Sequence, residues 1–206
     1  MPPGDKPYWG PGNLPDFPDG SLLIVRHSER YPVITAQDAF TAVLTDNGKH
    51  MAREFGGQLG QAWRGRIGAA VASPVLRCVQ TAEEILNGAL DGRVPHPAVQ
   101  PLPALHFEQR QTGLPGLAEV YLNDPGFLKL VSNQAAPEYA LMRRSLLETL
   151  PFPSEPGVLH LGVTHDVVVT FLQTALLGLP SANLADFPGF LQGVCLVKQN
   201  GAVHLF

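Results

Sequence analysis

The chain has 206 residues, 45% of them hydrophobic, with a formal net charge of -4 and a pI of about 5.9. That length holds one ordinary domain with a real core, and the acidic balance excludes a global basic field that would draw nucleic acid or an anionic membrane. Two cysteines, Cys78 and Cys195, lie far apart without CxxC spacing; they suggest neither a disulfide framework nor a zinc site and read as reduced core thiols.

Residues 1–20 are dense in Pro and Gly and predict an irregular arm, with Tyr8, Trp9 and Phe17 as anchors on a single domain over residues 21–206. No basic segment leads into an apolar one as in a secretory signal, and no later stretch offers about 18 uninterrupted apolar residues. A cytoplasmic location is the resulting expectation. The run "SLLIV" predicts a buried strand. A helix follows from about Thr45 through "DNGKHMAREFGGQLGQAW", where Met51, Phe55, Leu59 and Ala62 or Trp63 make one apolar stripe. Gly48, Gly56, Gly57 and Gly60 each weaken that helix by roughly 1 kcal/mol relative to Ala, so it needs tertiary support.

"IGAAVAS" reads as a second buried strand, stopped by Ser73 as N-cap and Pro74 at the first position of the helix "PVLRCVQTAEEILNGAL". The stretch from about Asp91 to Ala136, rich in Pro, Gly and Gln, predicts excursions over the sheet. A helix from about Pro137 to Leu150 and the loop "PFPSEPG" come next. "VLHLGVTHD" predicts a third buried strand, and "VVVTFLQTALLGL" a helix ending at Gly178 and Pro180. The tail from Phe190 to Phe206 predicts a hairpin turning at Asn200–Gly201. Strands alternating with helices argue for an α/β sheet.

Three of the strands end in chemically loaded residues. The first ends in Arg26 and His27, with Arg30 just beyond; the second delivers Arg77 in the helix it feeds; the third ends in His165 and Asp166. Ligands in open α/β sheets sit outside the carboxyl ends of the strands. Neighbouring strands would therefore gather three arginines and two histidines at one point. Such a cluster repels itself unless an anion lies among its members, and guanidinium forks match tetrahedral oxyanions, phosphate above all. Each residue alone has a plainer reading. Arg26 and Arg30 can pair with a nearby carboxylate such as Glu29, His165 can be a satisfied core histidine, and Asp166 can be an N-cap. His160 reads as structural, and His50, His96, His106 and His204 show no metal-ligand spacing.

"RHSERYP" resembles the RHGxRxP signature of the histidine phosphatase superfamily, the phosphoglycerate mutase-like fold. "LTDNGKHMAREFGGQLG" is similar to the LTxxGxxQA…LG segment that follows it, "ASPVLRCVQTAEEIL" to the SPxxRxxQTAxxL segment, and "VTHD" to the second histidine motif. The matches run in order from about Leu22 to Gly178. The resemblance implies a three-layer α/β fold with a central, mostly parallel sheet flanked by helices and a small cap. It also implies His27 as the nucleophile that forms a phosphohistidine, with Arg26, Arg30, Arg77 and His165 clamping the phosphoryl oxygens. No metal or nucleotide cofactor is implied, because the arginines supply the positive charge. Ser28 departs from the family's usual Gly; it is strained by ~1–2 kcal/mol if that position needs a positive φ, and otherwise adds a donor.

The proton donor has two candidates by resemblance. Asp166 matches the HD pair of the acid phosphatase and phytase branch, and Glu108 in "LHFEQRQTGLPG" matches the mid-chain Glu of the mutase-like branch. Asp166 is favoured. Only about Asp91 to Pro156 is free to build a cap, with Tyr31, His106 and Phe107 as candidates to line its mouth. The implied partner is a small phosphorylated substrate, and nothing points to nucleic acid or membrane. The leading reading is hydrolysis of small phosphomonoesters. A phosphomutase, a phosphohistidine or phosphoprotein phosphatase, and a phosphoryl-binding module with weak catalysis are the alternatives.

Overall fold

The computed structural model describes residues 8–35, 38–63, 66–91, 96–106, 137–177 and 187–206. Within them six strands form one sheet: β1 (Leu22–Arg26), β2 (Ile67–Ala72), β3 (Val99–Pro101), β4 (Leu159–Thr164), β5 (Gly193–Gln199) and β6 (Ala202–Leu205). Five helices accompany it: α1 (Asp38–Thr41), α2 (Asp46–Trp63), α3 (Leu76–Ala89), α4 (Pro137–Thr149) and α5 (Asp166–Leu177), with a 3-10 turn at Pro103–His106. The strand order is β3-β2-β4-β1-β5-β6. β3, β2, β4 and β1 run parallel, while β5 and β6 are antiparallel additions at one side.

Alternation along β1 divides the core into two layers. Leu22 and Ile24 face a cluster with Val168, Phe171 and Leu172 of α5 and Met142 and Leu146 of α4. Leu23 and Val25 face Phe55 and Leu59 of α2 and Ile85 and Leu86 of α3. All of these side chains are buried. A sheet covered by helices on both faces is the three-layer arrangement expected, and parallel strands buried on both faces read as the continuous apolar runs seen here.

The glycines that weaken α2 as an isolated helix have a packing role. A Cβ on Gly56 would lie 2.0 Å from the carbonyl oxygen of Ile85, and one on Gly60 would lie 2.3 Å from that of Ala89. On the other helix, a Cβ on Gly88 would lie 2.0 Å from the Arg53 carbonyl oxygen. The backbones of α2 and α3 approach too closely for any side chain there. The propensity cost is recovered as helix–helix contact, and Arg53 pairs with Glu84 across the same seam.

The described part of the arm lies on the domain. Trp9 bridges Gly193 at the end of β5, and Tyr8 and Phe17 are buried. The hairpin turn falls at Asn200 and Gly201, whose φ angles of 51° and 79° give the mirror-image turn that suits strand twist. Other expectations need correction. α3 begins at Leu76 with Val75 as its N-cap and no capping side chain; the Ser73 hydroxyl is taken by a histidine, as described below. The stretch after Asp91 contains the edge strand β3 and the 3-10 turn. α1 was not expected at all, although Thr35 and Asp38 form its reciprocal cap: Asp38 N donates to Thr35 Oγ1, and Thr35 N to Asp38 Oδ2. The end expected for the last helix, at Gly178 and Pro180, lies outside the described residues.

Candidate active site

The sheet order makes β1, β4 and β2 consecutive neighbours, so the three loaded strand ends meet. His27 leaves β1 with its amide bonded to the Thr164 carbonyl, 2.8 Å, at the end of β4. The Ser73 amide, just past β2, bonds the Val163 carbonyl, 2.9 Å. Consequently His27, Ser73 and His165 project from one edge, and α3 brings Arg77 to them.

The His27 ring is buried, with Nδ1 2.7 Å from the Ser28 carbonyl oxygen. A carbonyl only accepts, so Nδ1 carries the proton and Nε2 keeps its lone pair. Burial pushes the His27 pKa well below 6.5, and the charges of Arg77, Arg26 and Arg30 push it the same way against the Ser28 hydrogen bond. The ring is therefore neutral, which is the form a nucleophilic imidazole needs.

Ser28 is buried beneath it. Its amide donates to Thr81 Oγ1, 3.1 Å, and its hydroxyl donates to the Gly48 carbonyl, 2.7 Å. Positive φ among the described non-glycine residues is confined to Asp91, Leu191 and Asn200. Ser28 is thus unstrained, and its hydroxyl ties the β1 end to the start of α2. Gly48 itself must lack a side chain, because a Cβ would lie 2.0 Å from the Glu29 carbonyl oxygen. Glu29 receives hydrogen bonds from Thr45 Oγ1 and Asn47 Nδ2, so it braces that loop instead of pairing with Arg26.

Arg26 pairs with Asp166, Nη2 to Oδ2 at 3.1 Å, donates from Nη1 to the Pro188 carbonyl at 2.8 Å, and stacks 4.6 Å over the Phe190 ring. Asp166 is the first residue of α5, and its Oδ1 also accepts from the Val167 amide, 2.8 Å. Arg77 is buried; it donates from Nη1 to the Ala39 carbonyl of α1 and from Nη2 to His165 Nδ1, 3.2 Å. The Nε atoms of Arg26 and Arg77 are buried without a hydrogen-bond partner among the described residues. Arg30 donates from Nη1 to the Tyr31 carbonyl, 2.9 Å, and its charge lowers the pKa of both His27 and Arg77.

His165 is buried 5.7 Å from His27, centroid to centroid, with the rings edge to face. Its pKa is held well below 6.5, by burial first and then by Arg77, His27, His106 and Arg26. Nε2 meets Ser73 Oγ at 2.9 Å. Cys78 lies close by, its thiol pushed up to about 12 chiefly by burial; it is the inert core thiol expected. His106 was foreseen only as a lining residue, yet it is buried and reaches Ser73 and His165 from the 3-10 turn. Tyr31 is 52% exposed. Glu108 and Phe107 lie outside the described residues. His160 is structural, with Nδ1 on the Pro151 carbonyl at 2.7 Å. Among the described residues no group of His, Cys, Asp and Glu could hold a metal ion, and no helix is long and apolar enough to cross a membrane.

Three arginines, Arg77 buried and Arg26 and Arg30 half-buried, thus gather with two buried imidazoles at the carboxyl edge of the parallel strands of an α/β sheet. Comparison with known proteins gives a match over part of the chain and a shared fold. Residues 22–99 match the model of the histidine phosphatase superfamily (branch 1). Solved structures share the fold. A mycobacterial glucosyl-3-phosphoglycerate phosphatase complexed with VO3 is 21% identical at a TM-score of 0.55, covering 90% of this chain and 96% of that one. A phosphoserine phosphatase from Entamoeba histolytica in complex with 3-phosphoglyceric acid is 16% identical at 0.51, covering 90% and 94%. The protein histidine phosphatase SixA with tungstate is 18% identical at 0.50, covering 90% and 94%. No curated protein matches the chain in sequence. The protein thus has the histidine phosphatase fold, and its residues 22–99 carry that superfamily's signature.

Proposed function

We propose that the protein is a metal-independent phosphatase of small phosphomonoesters that works through a phosphohistidine on His27. The observation that carries this is the protonation pattern of His27: with Nδ1–H fixed on the Ser28 carbonyl, the nucleophilic lone pair sits on Nε2 in a ring that burial keeps neutral. His27 Nε2 attacks phosphorus in line, the P–O bond to the leaving group breaks, and the leaving oxygen takes a proton from an acid. Water then attacks the phosphohistidine, giving its proton to the conjugate base of that acid, and the P–N bond breaks to return Nε2 and release inorganic phosphate.

Arg26, Arg30, Arg77 and His165 are the clamp for the phosphoryl oxygens. Their charge stabilises a loose transition state, where positioning and electrostatics supply most of the catalysis. The unused Nε donors of Arg26 and Arg77 are what a bound oxyanion would satisfy. Asp166 is the candidate acid. Its carboxylate lies beside the clamp, 3.1 Å from Arg26 Nη2. Glu108 is the alternative acid. Two similar folds are named phosphatases of small phosphomonoesters, which supports that substrate class.

Hydrolysis of an aryl phosphate in the presence of EDTA, comparing the native protein with His27→Ala, tests the reading. Turnover by the native protein and its loss in the variant is expected. Turnover retained in the variant at more than a few per cent would remove the nucleophile, and turnover abolished by EDTA would remove the metal-independent mechanism.

A further inference from the structure

Three buried groups behind the clamp are not used by the reaction as written: Ser73, His106 and the far side of His165. Their hydrogen bonds have a direction. The Arg77 guanidinium can only donate, so His165 Nδ1, 3.2 Å from Arg77 Nη2, is an acceptor, and the ring proton sits on Nε2. That Nε2–H lies 2.9 Å from Ser73 Oγ, which must accept it. The Ser73 hydroxyl then has its own proton to give, and His106 Nδ1 lies 3.3 Å away. His106 Nδ1 is also 3.3 Å from His165 Nε2. With the Ser73 hydroxyl proton directed at it, His106 Nδ1 is the unprotonated acceptor that ends the chain Arg77 to His165 to Ser73 to His106, and its lone pair also faces the His165 Nε2–H.

The setting favours that arrangement. His106 is 8% exposed, and Ser73 and His165 are buried. The His106 ring stands edge-on to Phe40 of α1, 5.7 Å between centroids. Thr164 Oγ1 donates to the Leu105 carbonyl, 2.6 Å, and pins the 3-10 turn against β4. The groups facing His165 are Arg77 and Cys78 of α3, Arg26 and His27 at the β1 end, and His106 of the turn. On the Nε2 side the nitrogen and oxygen acceptors are Ser73 and His106, at 2.9 and 3.3 Å, with the weakly accepting Cys78 sulfur farther off at 3.8 Å.

We propose that His106, acting through Ser73, is a positioning residue that fixes the proton of His165 on Nε2 and so reserves Nδ1 for the phosphoryl site. This rests on His165 being part of the oxyanion clamp. When a monoprotonated oxyanion draws Arg77 away, its O–H donates to the freed Nδ1, while the Nε2–H remains held by Ser73. A neutral His106 is required throughout, because a protonated one has no lone pair at Nδ1.

The test uses the full chain and inorganic phosphate. Nitrogen-15 histidine NMR reads the His165 tautomer, and titration reads the phosphate dissociation constant, for native protein, His106→Phe, His106→Asn and Ser73→Ala. His106→Phe is expected to mix the two His165 tautomers and weaken phosphate about three- to tenfold, the range of one net hydrogen bond. His106→Asn, whose side-chain oxygen can stand near Nδ1, is expected to restore both. Should His106→Phe fail to fold, Ser73→Ala must show the same mixing and weakening. Native tautomer and phosphate affinity within about twofold in the folded variants would overturn the proposal. These readouts need no turnover, so they separate failure of the relay from failure of the phosphatase reading.

Discussion

Ser28 offers a sharp test of how the β1 end is built, because glycine is the residue expected there from the resemblance. In this chain the position does not lie in the left-handed region, so a glycine relieves no strain. It removes instead the buried hydrogen bond from Ser28 Oγ to the Gly48 carbonyl, 2.7 Å, worth about 0.5–1.5 kcal/mol net. It also adds about 0.5–1 kcal/mol of backbone entropy cost. Ser28→Gly should therefore destabilise by about 1–2.5 kcal/mol, and Ser28→Ala, which loses only the hydrogen bond, by about 0.5–1.5 kcal/mol. In a chain of this length each kcal/mol moves Tm by roughly 2–4 °C. Calorimetric unfolding of the three proteins should rank native above Ser28→Ala above Ser28→Gly, with a drop of roughly 2–10 °C for the last. A Ser28→Gly protein that melts at or above the native temperature would refute the reasoning, since only a strained serine gives that result.

Two further outcomes follow from the site. Stability should fall on acidification, because His27, His165 and His106 all have depressed pKa values when folded. The unfolded chain binds more protons than the folded one, so the loss begins as pH drops through about 6.5 and, for His106, is complete below about 4. His106 alone accounts for on the order of 3 kcal/mol over that window; urea midpoints measured from neutral pH downward check it, and a flat profile would contradict buried neutral histidines. Asp166→Asn should slow alkyl phosphates far more than aryl phosphates, since an aryl oxide leaves with little help from an acid. The same pattern in Glu108→Gln, and not in Asp166→Asn, would move the proton donor to Glu108.

The convergence at the sheet edge was legible in the sequence because Arg26, His27, His165 and Asp166 end apolar runs where turn residues belong. Their meeting then required only that β1, β4 and β2 be neighbours. Partners could not be read the same way. Ser73 fits an N-cap pattern, but a long-range histidine outcompetes the helix start for its hydroxyl. Glu29 stands next to two arginines in sequence and is held by Thr45 and Asn47 instead. The glycines of α2 look like weaknesses until α3 lies against them. α1 did have a local signal, the Thr35-to-Asp38 capping pair, whereas His106 had none: its role depends on a turn pinned to β4 by the Thr164 hydroxyl. β3 has three residues and ends in proline, too short for any alternation to show.

The account stands on His27 Nε2 as the atom that receives the phosphoryl group. The most direct measurement is a rapid acid-free quench of the native protein during turnover of an aryl phosphate, with EDTA present. Peptide mapping by mass spectrometry then locates any phosphoryl group. A base-stable, acid-labile phosphoryl group on the His27 imidazole, absent from His27→Ala, is the predicted result. A phosphoryl group on any other side chain, or turnover that persists in His27→Ala, would contradict it.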